Sequence, residues 1–477
     1  MSGDTARGTL GALAHFAVAA TPPPLARARA ATAFLDTIGV TLAGASEPAG
    51  RGVQQVVAAN GGDSCTVLGT TIRVSAADAA LANGTAAHAL DYDDMCFVSL
   101  AHPSAPLVSA LLAAGELTGA SGSALADAYA IGFEIEARLG RVMNPRHYQR
   151  GWHCTSTLGA LGSAAAVSRL LGLDARITGH AIAIAASEAS GLKENFGTMV
   201  KPLHAGLAAR DGVLAALLAR SGITASERAL DGPQGFLRAM DSERDDLERE
   251  ATDLGVRWEI IDTGITVKLY PSCAATHPAL DAILTLRRRE GFTADTVEAV
   301  EVDVDRITPT VLLYDRPTSG LEAKFSMPYC AAAAVVDGRV GIDTFDTARL
   351  RDSRLTALMP RITMKVDPAL GIDRPALTQA RVCISLADGR ALAQGANGAR
   401  GYPENPASDA ELSDKFLACA RRTIPASAAE MALRQLRQFD QLDDVRTLTA
   451  VGRPDCASRP RASHMDRTSR DGSGFAK

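Results

Sequence analysis

Val300-Glu301-Val302-Asp303-Val304-Asp305 alternates apolar and acidic residues, the pattern of a strand with one face buried and one face wet. Ile362, Met364 and Val366 repeat that spacing, as do Val382, Ile384 and Leu386, after which Asp388-Gly389 supplies a hairpin turn pair. Helical stretches over 278–288 and 328–336 lie between these strands. Upstream the texture is different. From about residue 25 to 223 the chain reads as helix after helix, over 25–42, 75–88, 105–117, 124–139, 157–170, 178–189 and 207–219. Ser75 followed by Asp78 is a capping signal, and short Gly-, Pro-, Asp- and Asn-bearing segments separate the rest. Helical periodicity returns over 410–419 and 426–438, and these last helices are expected to rejoin the first ones.

The fold class is therefore mainly α: a large all-helical domain assembled from both chain ends (1–265 and 401–451), with a smaller α+β domain (266–400) inserted. Residues 452–477 are rich in Arg, Ser, Asp and Gly without apolar period, and are expected to be a disordered tail.

Composition narrows the function. The 477 residues leave room for two or three domains at roughly 100–200 residues each. With 47% hydrophobic and 22% charged residues, a core of ordinary size is available. A net charge of -5 provides no basic excess for neutralising phosphates, so nucleic acid is not an expected partner. No stretch approaches the ~20 apolar residues of a membrane span, and residues 1–20 lack the basic and apolar regions of a signal peptide. A cytoplasmic location is expected. The eight cysteines form no C-x-x-C pair, which argues against structural zinc and against an iron–sulfur cluster. No dinucleotide loop, Walker sequence, G-x-S-x-G elbow or H-E-x-x-H is present.

The candidate chemistry lies in clusters of ionisable residues between helices. His88-Ala89-Leu90-Asp91-Tyr92-Asp93-Asp94 leads to His102-Pro103-Ser104, and its three carboxylates must be protonated, hydrogen-bonded or paired with cations. Gly151-Trp152-His153 and Lys201-Pro202-Leu203-His204 each stand just before a helix, where a lysine and a helix amino terminus together favour a carboxylate. Lys268 to His277 sits where the texture changes, a favoured place for a cleft, and Tyr329 opens a helix of the inserted part. Taken singly, each has a plain structural explanation: a solvated acidic helix end, a capping histidine, a surface lysine, a core cysteine at Cys273, a core tyrosine. Asp91, Asp93 and His102 would also serve as metal ligands.

Taken together and in order, these motifs resemble the MmgE/PrpD family: Asn83-Gly84 with His88, Asp91-Tyr92-Asp93-Asp94, His102-Pro103-Ser104, Gly151-Trp152-His153, Lys201-Pro202-Leu203-His204 with Gly206, Tyr270-Pro271-Ser272-Cys273 with Thr276-His277, and Phe325-Ser326 with Pro328-Tyr329. The resemblance covers about residues 25–438. It implies a helical domain built from both chain ends, an α+β lid, a homodimer, and a cofactor-free active site between the domains. By motif position, Asp91, His102, His153 and Tyr329 correspond to catalytic residues, and Lys201, His204, Lys268 and His277 to substrate-binding ones, with no metal. The family's reactions on small polycarboxylates include dehydration of 2-methylcitrate, decarboxylation of cis-aconitate and epimerisation of iminodisuccinate. Relatives of the decarboxylase type carry Thr directly after the Asp-Asp pair where this chain has Met95, and their loop to the following His is one residue shorter.

Removing a proton next to a carboxylate builds charge that cations must already face, a task suited to Lys201 and Lys268. His102 and His153 are the expected proton carriers, Asp91 would orient one imidazole, and Tyr329 or His277 would supply a proton. Dehydration of a 2-methylcitrate-like hydroxy acid is the leading expectation, with epimerisation or decarboxylation as alternatives. A metal-dependent hydrolase and a non-catalytic binding protein remain as readings from other classes.

Overall fold

The computed structural model describes residues 8–244, 246–372 and 378–454. From residue 455 onward the expected tail lies outside the described residues. The first part of the chain is built from seven long helices after Thr9–Ala19: Pro24–Gly44, Pro48–Asn60, Ala76–His88, Ser104–Thr118, Gly122–Met143, Cys154–Leu170 and Ala175–Glu188, followed by Val200–Arg220. Their ends follow local chemistry. Ser75, Ser121 and Asp174 each accept the backbone N–H three residues on, satisfying a donor the helix itself leaves open. Pro24 and Pro48 open their helices, where a missing N–H costs nothing.

One apolar core unites these helices with the end of the chain. Leu412 and Phe416 of Asp409–Ala420, Leu436 of Ala426–Arg437, and Val445 and Leu448 beyond them share it with Leu10, Phe34, Leu107 and Ile131. The rings of Phe34 and Phe439 lie 4.6 Å apart, so residues 405 positions apart in sequence are in direct contact. The first part is not wholly helical. β1 (Cys65–Thr66) and β2 (Arg73–Val74) form a small antiparallel pair. Buried side chains hold it in place: Asn83 bonds Thr66 O and Leu68 N at 2.9 Å each, and the Glu116 carboxylate takes Thr66 N at 2.6 Å. Local sequence carries no strand period there, because side chains on distant helices supply the pairing.

A second apolar core contains residues between Tyr270 and Leu392. Its sheet has the order β4-β3-β5-β6, from β3 (Val297–Val304), β4 (Ile362–Val366), β5 (Ala380–Leu386) and β6 (Ala391–Ala396). β4 runs parallel to β3 and the other pairs are antiparallel, with Val300 opposite both Ile362 and Ile384. The alternating apolar residues Val300, Val302 and Val304 are fully buried, against helices His277–Glu290 and Met327–Asp337. Gly389, at φ 86°, makes the β5–β6 turn.

The two cores are joined by chain segments that run side by side. Val267 N–H donates to Gly401 O at 2.9 Å, and Met95 and Thr266 exchange backbone bonds of 2.8 and 2.9 Å. At Gly401 φ is 90° and a Cβ would stand 1.9 Å from Val267 O, so no other residue fits this crossing. Among the described residues, no helix is long and apolar enough to cross a membrane.

Candidate active site

Two glycines set the distance between the helices that build the site. A Cβ on Gly84 would lie 2.8 Å from Gly206 Cα, and one on Gly206 would lie 2.2 Å from Thr85 Oγ1. This contact between Ala76–His88 and Val200–Arg220 brings Lys201, in the first turn of its helix, over the turn that follows His88. His102 and His153 stand immediately before two more helices, Ser104–Thr118 and Cys154–Leu170. Three helix amino termini thus surround one cavity, and their partial positive charge favours an anion within it.

The turn over residues 90–92 is fixed from three directions. Leu90 O accepts Lys324 Nζ at 2.7 Å, Asp91 O accepts Lys268 Nζ at 3.0 Å, and Tyr92 O accepts Lys415 Nζ at 2.8 Å. Asp91 adopts φ 51°, a left-handed conformation that costs a non-glycine residue ~1–2 kcal/mol and is sustained here by those bonds. Its Oδ1 accepts Lys201 Nζ at 2.8 Å and Lys268 Nζ at 2.9 Å, while Oδ2 is buried without a partner. Burial works against the charge of Asp91, but the two ammonium groups outweigh it and hold the carboxyl well below its ordinary range.

The histidines form a second layer around this ion cluster. His88 Nδ1 bonds the Asp93 carboxylate at 2.8 and 2.9 Å. His102 lies with Nδ1 3.4 Å from Asp93 Oδ2 and Nε2 3.7 Å from Asp91 Oδ1. Asp91 is therefore not the residue that orients an imidazole, as expected from sequence; its charge is engaged by lysines, and Asp93 takes the orienting position. His153 Nδ1 faces His204 Nδ1 at 3.0 Å. Burial lowers all four imidazoles, His88 to about 3 and His204 to about 4, with Lys201 adding to the effect at His153 and His204. In the free protein they are neutral, so each has a lone pair to offer. Asp94 turns away to bond Ser104 N at 3.2 Å and the Ser104 hydroxyl, and burial pushes its carboxyl up to about 8.

Asp91, His102, His153, Lys201 and Lys268 line the cavity together, alongside Tyr148, Phe196, Cys273 and Phe325. Three residues expected at the site lie elsewhere. Tyr329 donates its hydroxyl to Thr344 O at 2.6 Å inside the second core, where its ring packs on Phe345. His204 lies against His153, their Nδ1 atoms 3.0 Å apart, and is not among the residues lining the cavity. His277 is buried with Nε2 3.2 Å from Ser272 O, its ring edge against Tyr270, and its pKa lowered by burial to about 3. Sequence reasoning left out His88, Tyr148, Lys324 and Lys415 as site residues and offered Asp93 only as a metal ligand. His88 and Asp93 were within a recognised motif and Lys324 directly precedes another, Phe325-Ser326, whereas Lys415 sits in ordinary helical text and gives no local signal.

His88, Asp91, Asp93 and His102 each offer an atom within 4.8 Å of the others, a donor set a divalent cation accepts by type. The two lysines oppose it. A dication ~4 Å from an ammonium is repelled by roughly 8 kcal/mol at an effective dielectric of ~20, and both ammonium groups already sit on Asp91. The residues present therefore suit an anionic guest better than a cation.

Residues 11–248 match the MmgE/PrpD N-terminal domain and residues 270–441 the MmgE/PrpD C-terminal domain. The cis-aconitate decarboxylase of Mus musculus is 28% identical over 439 residues, covering 88% of this chain and 87% of that protein. That of Homo sapiens is 26% identical over 401 residues (81% and 82%), and that of Aspergillus terreus 26% over 444 (88% and 90%). Matches that run through both cores and take in Asp91, His102, His153 and Lys201 leave one conclusion, that the chain belongs to the MmgE/PrpD family.

Proposed function

We propose that this chain is a carboxy-lyase that acts on a small polycarboxylate of the cis-aconitate type without a cofactor. The observation that carries this reading is the convergence of Lys201 and Lys268 beside His102 and His153 on one cavity. The C–C bond to one carboxylate breaks, and its electron pair passes through the neighbouring double bond towards a second carboxylate that faces the lysines. Carbon dioxide leaves. A histidine delivers a proton to the carbon that has gained the electron pair, and solvent returns a proton to the imidazole. Lys201 and Lys268 oppose the charge that develops, in a setting where burial makes each ammonium more effective than in water. A carboxylate entering beside His102 and His153 offsets the burial that lowers them, so the proton needed at carbon arrives with the substrate.

Dehydration, which the sequence placed first, takes second place. The relatives reported above are decarboxylases by name. Of the two expected proton donors, Tyr329 is bonded to Thr344 O and His277 lies against Ser272 O instead. Met95, the departure from decarboxylase-type relatives, does line the cavity, and the difference is compatible with an altered substrate on the same reaction.

The test is proton NMR of chelator-treated protein in deuterated buffer with cis-aconitate, 2-methylcitrate, citrate and iminodisuccinate, and His153→Ala as control. The expected result is loss of one carbon from a cis-aconitate-type acid, with one deuterium in the product and no reaction in the variant. Loss of water with every carbon retained would overturn decarboxylation.

A further inference from the structure

Helices Pro24–Gly44 and Asp409–Ala420, from opposite ends of the chain, cross closely. A Cβ on Gly39 would stand 3.3 Å from Phe416 Cα, and this crossing sets Asp36 beside Lys415. Lys415 Nζ lies 2.6 Å from Asp36 Oδ1, with both side chains almost wholly buried. The same ammonium donates to Tyr92 O and to Lys268 O, at 2.8 Å each. Its three protons are thereby matched by three acceptors, one of them a carboxylate that offsets its charge. Neither Asp36 nor Lys415 lines the cavity.

Lys415 is not the only stitch between these two segments. Lys324 Nζ donates to Leu90 O at 2.7 Å and to Pro271 O at 2.8 Å, and the Tyr92 hydroxyl donates to Leu269 O at 3.3 Å. The turn over residues 90–92 and the stretch over 268–271 are thus tied on both sides of the contact between Lys268 and Asp91. Lys268 is fully buried, and its backbone position decides where the ammonium at the end of its long side chain comes to lie. A displacement of ~1 Å at a reacting centre costs roughly 100-fold in rate. Because Asp36 offsets the charge of Lys415, the pair adds little field of its own to the cavity and acts through geometry.

We infer that Lys415, neutralised by Asp36, is a positioning residue that fixes where the Lys268 ammonium meets a substrate carboxylate, by tying the Lys268 carbonyl to that of Tyr92. The inference rests on the reading above that the cavity takes a polycarboxylate, and deepens it by tracing the placement of one binding group to an ion pair that touches no substrate. Both chain ends thereby take part in the site, through helices that stand outside it.

The double variant Asp36→Asn/Lys415→Gln removes both charges at once, so no buried charge is left unpaired, and glutamine is too short to reach both carbonyls. Calorimetry with tricarballylate, which has neither a double bond nor a hydroxyl to lose, reads the site apart from the reaction. The double variant is expected to bind it about tenfold more weakly than the parent protein. In a Lys268→Met background the same two substitutions should change affinity by less than about twofold, because the group they position is gone. Unchanged affinity, or an equal loss with and without Lys268, would overturn the inference. Should the double variant not fold, Tyr92→Phe takes its place, removing only the hydroxyl on Leu269 O. It should weaken binding about two- to fivefold while Lys268 is present and not in its absence, and no change would overturn the inference. In turnover of cis-aconitate the double variant should lose about 10–100-fold in kcat, more than it loses in KM, and a loss confined to KM would count against positioning. Binding without turnover in the parent protein would sink the decarboxylase reading and leave the binding test standing. No binding by the parent protein would overturn the polycarboxylate reading and the inference together.

Discussion

The Nδ1 atoms of His153 and His204 face each other at 3.0 Å, so one ring must donate and the other accept. With both imidazoles lowered by burial, a single proton lies between them. If His153 holds it, its Nε2 presents a lone pair to the cavity; if His204 holds it, His153 Nε2 presents a proton. Under the proposed reaction, His204 would select whether its neighbour serves as base or acid, although it does not line the cavity itself.

His204→Ala is expected to lower kcat about 10–100-fold with KM nearly unchanged, less than the ~100–10,000-fold loss of general acid–base catalysis expected for His153→Ala. His204→Asn, which keeps a donor and an acceptor near His153, should recover part of the loss. Steady-state kinetics with a pH profile of kcat checks this: equal losses of kcat in the Ala and Asn variants would show that His204 only fills space.

Asp91 is the counter-ion of two buried lysines, and this makes its removal costlier than that of either lysine. Asp91→Ala should destabilise the protein by about 3–5 kcal/mol, since Lys201 and Lys268 are left without their shared carboxylate. Lys201→Met should cost less, because Lys268 remains on Asp91. Adding a polycarboxylate ligand should restore part of the melting temperature of Asp91→Ala, as its carboxylate takes the empty place. Thermal denaturation of the two variants with and without ligand reads all three outcomes.

Asp94 gives a pH signature of stability. Its folded pKa is raised from 3.8 to about 8, so between those values the folded protein binds more protons than the unfolded chain. The stability Asp94 contributes is accordingly present at low pH and declines as pH rises through this window. Asp94→Asn has no such proton to lose. Its melting temperature relative to the parent should increase steadily from pH 5 to pH 8, and a pH-independent difference would show that Asp94 is ionised in the fold.

Activity should withstand dialysis against a chelator, and added Zn²⁺ should inhibit rather than activate. The donor set His88, Asp91, Asp93 and His102 admits a cation only by displacing the lysine ammonium groups from Asp91. Rates measured on metal-stripped protein, with and without divalent ions, decide the matter; recovery of lost activity by a metal would restore the hydrolase reading.

Much of this protein was legible in its sequence, because several of its signals are local. The apolar–acidic alternation of Val300 to Asp305 marks a strand whichever partners it finds, and the Ser75–Asp78 cap marks a helix start. Motif order alone was enough to place the chain in its family. The β1–β2 pair escaped notice because its partners, Asn83 and Glu116, lie on separate helices. Tyr329 was misplaced because its motif gives a position in the chain but not the direction of its hydroxyl, which packing turns towards Thr344.

The sequence by itself determined the periodic elements, the family and the inventory of ionisable groups, all of which depend on short spacings. Only the tertiary structure decided which charges meet. Lys201, Lys268, Lys324 and Lys415 converge on the turn around Asp91 from segments up to 323 positions away, and no local pattern encodes that meeting. The close crossing at Gly84 and Gly206 and the joining of both chain ends in one core create it. Once those charges are buried together, the lysines hold the Asp91 carboxyl well below its ordinary range against the effect of burial, an outcome no local spacing encodes.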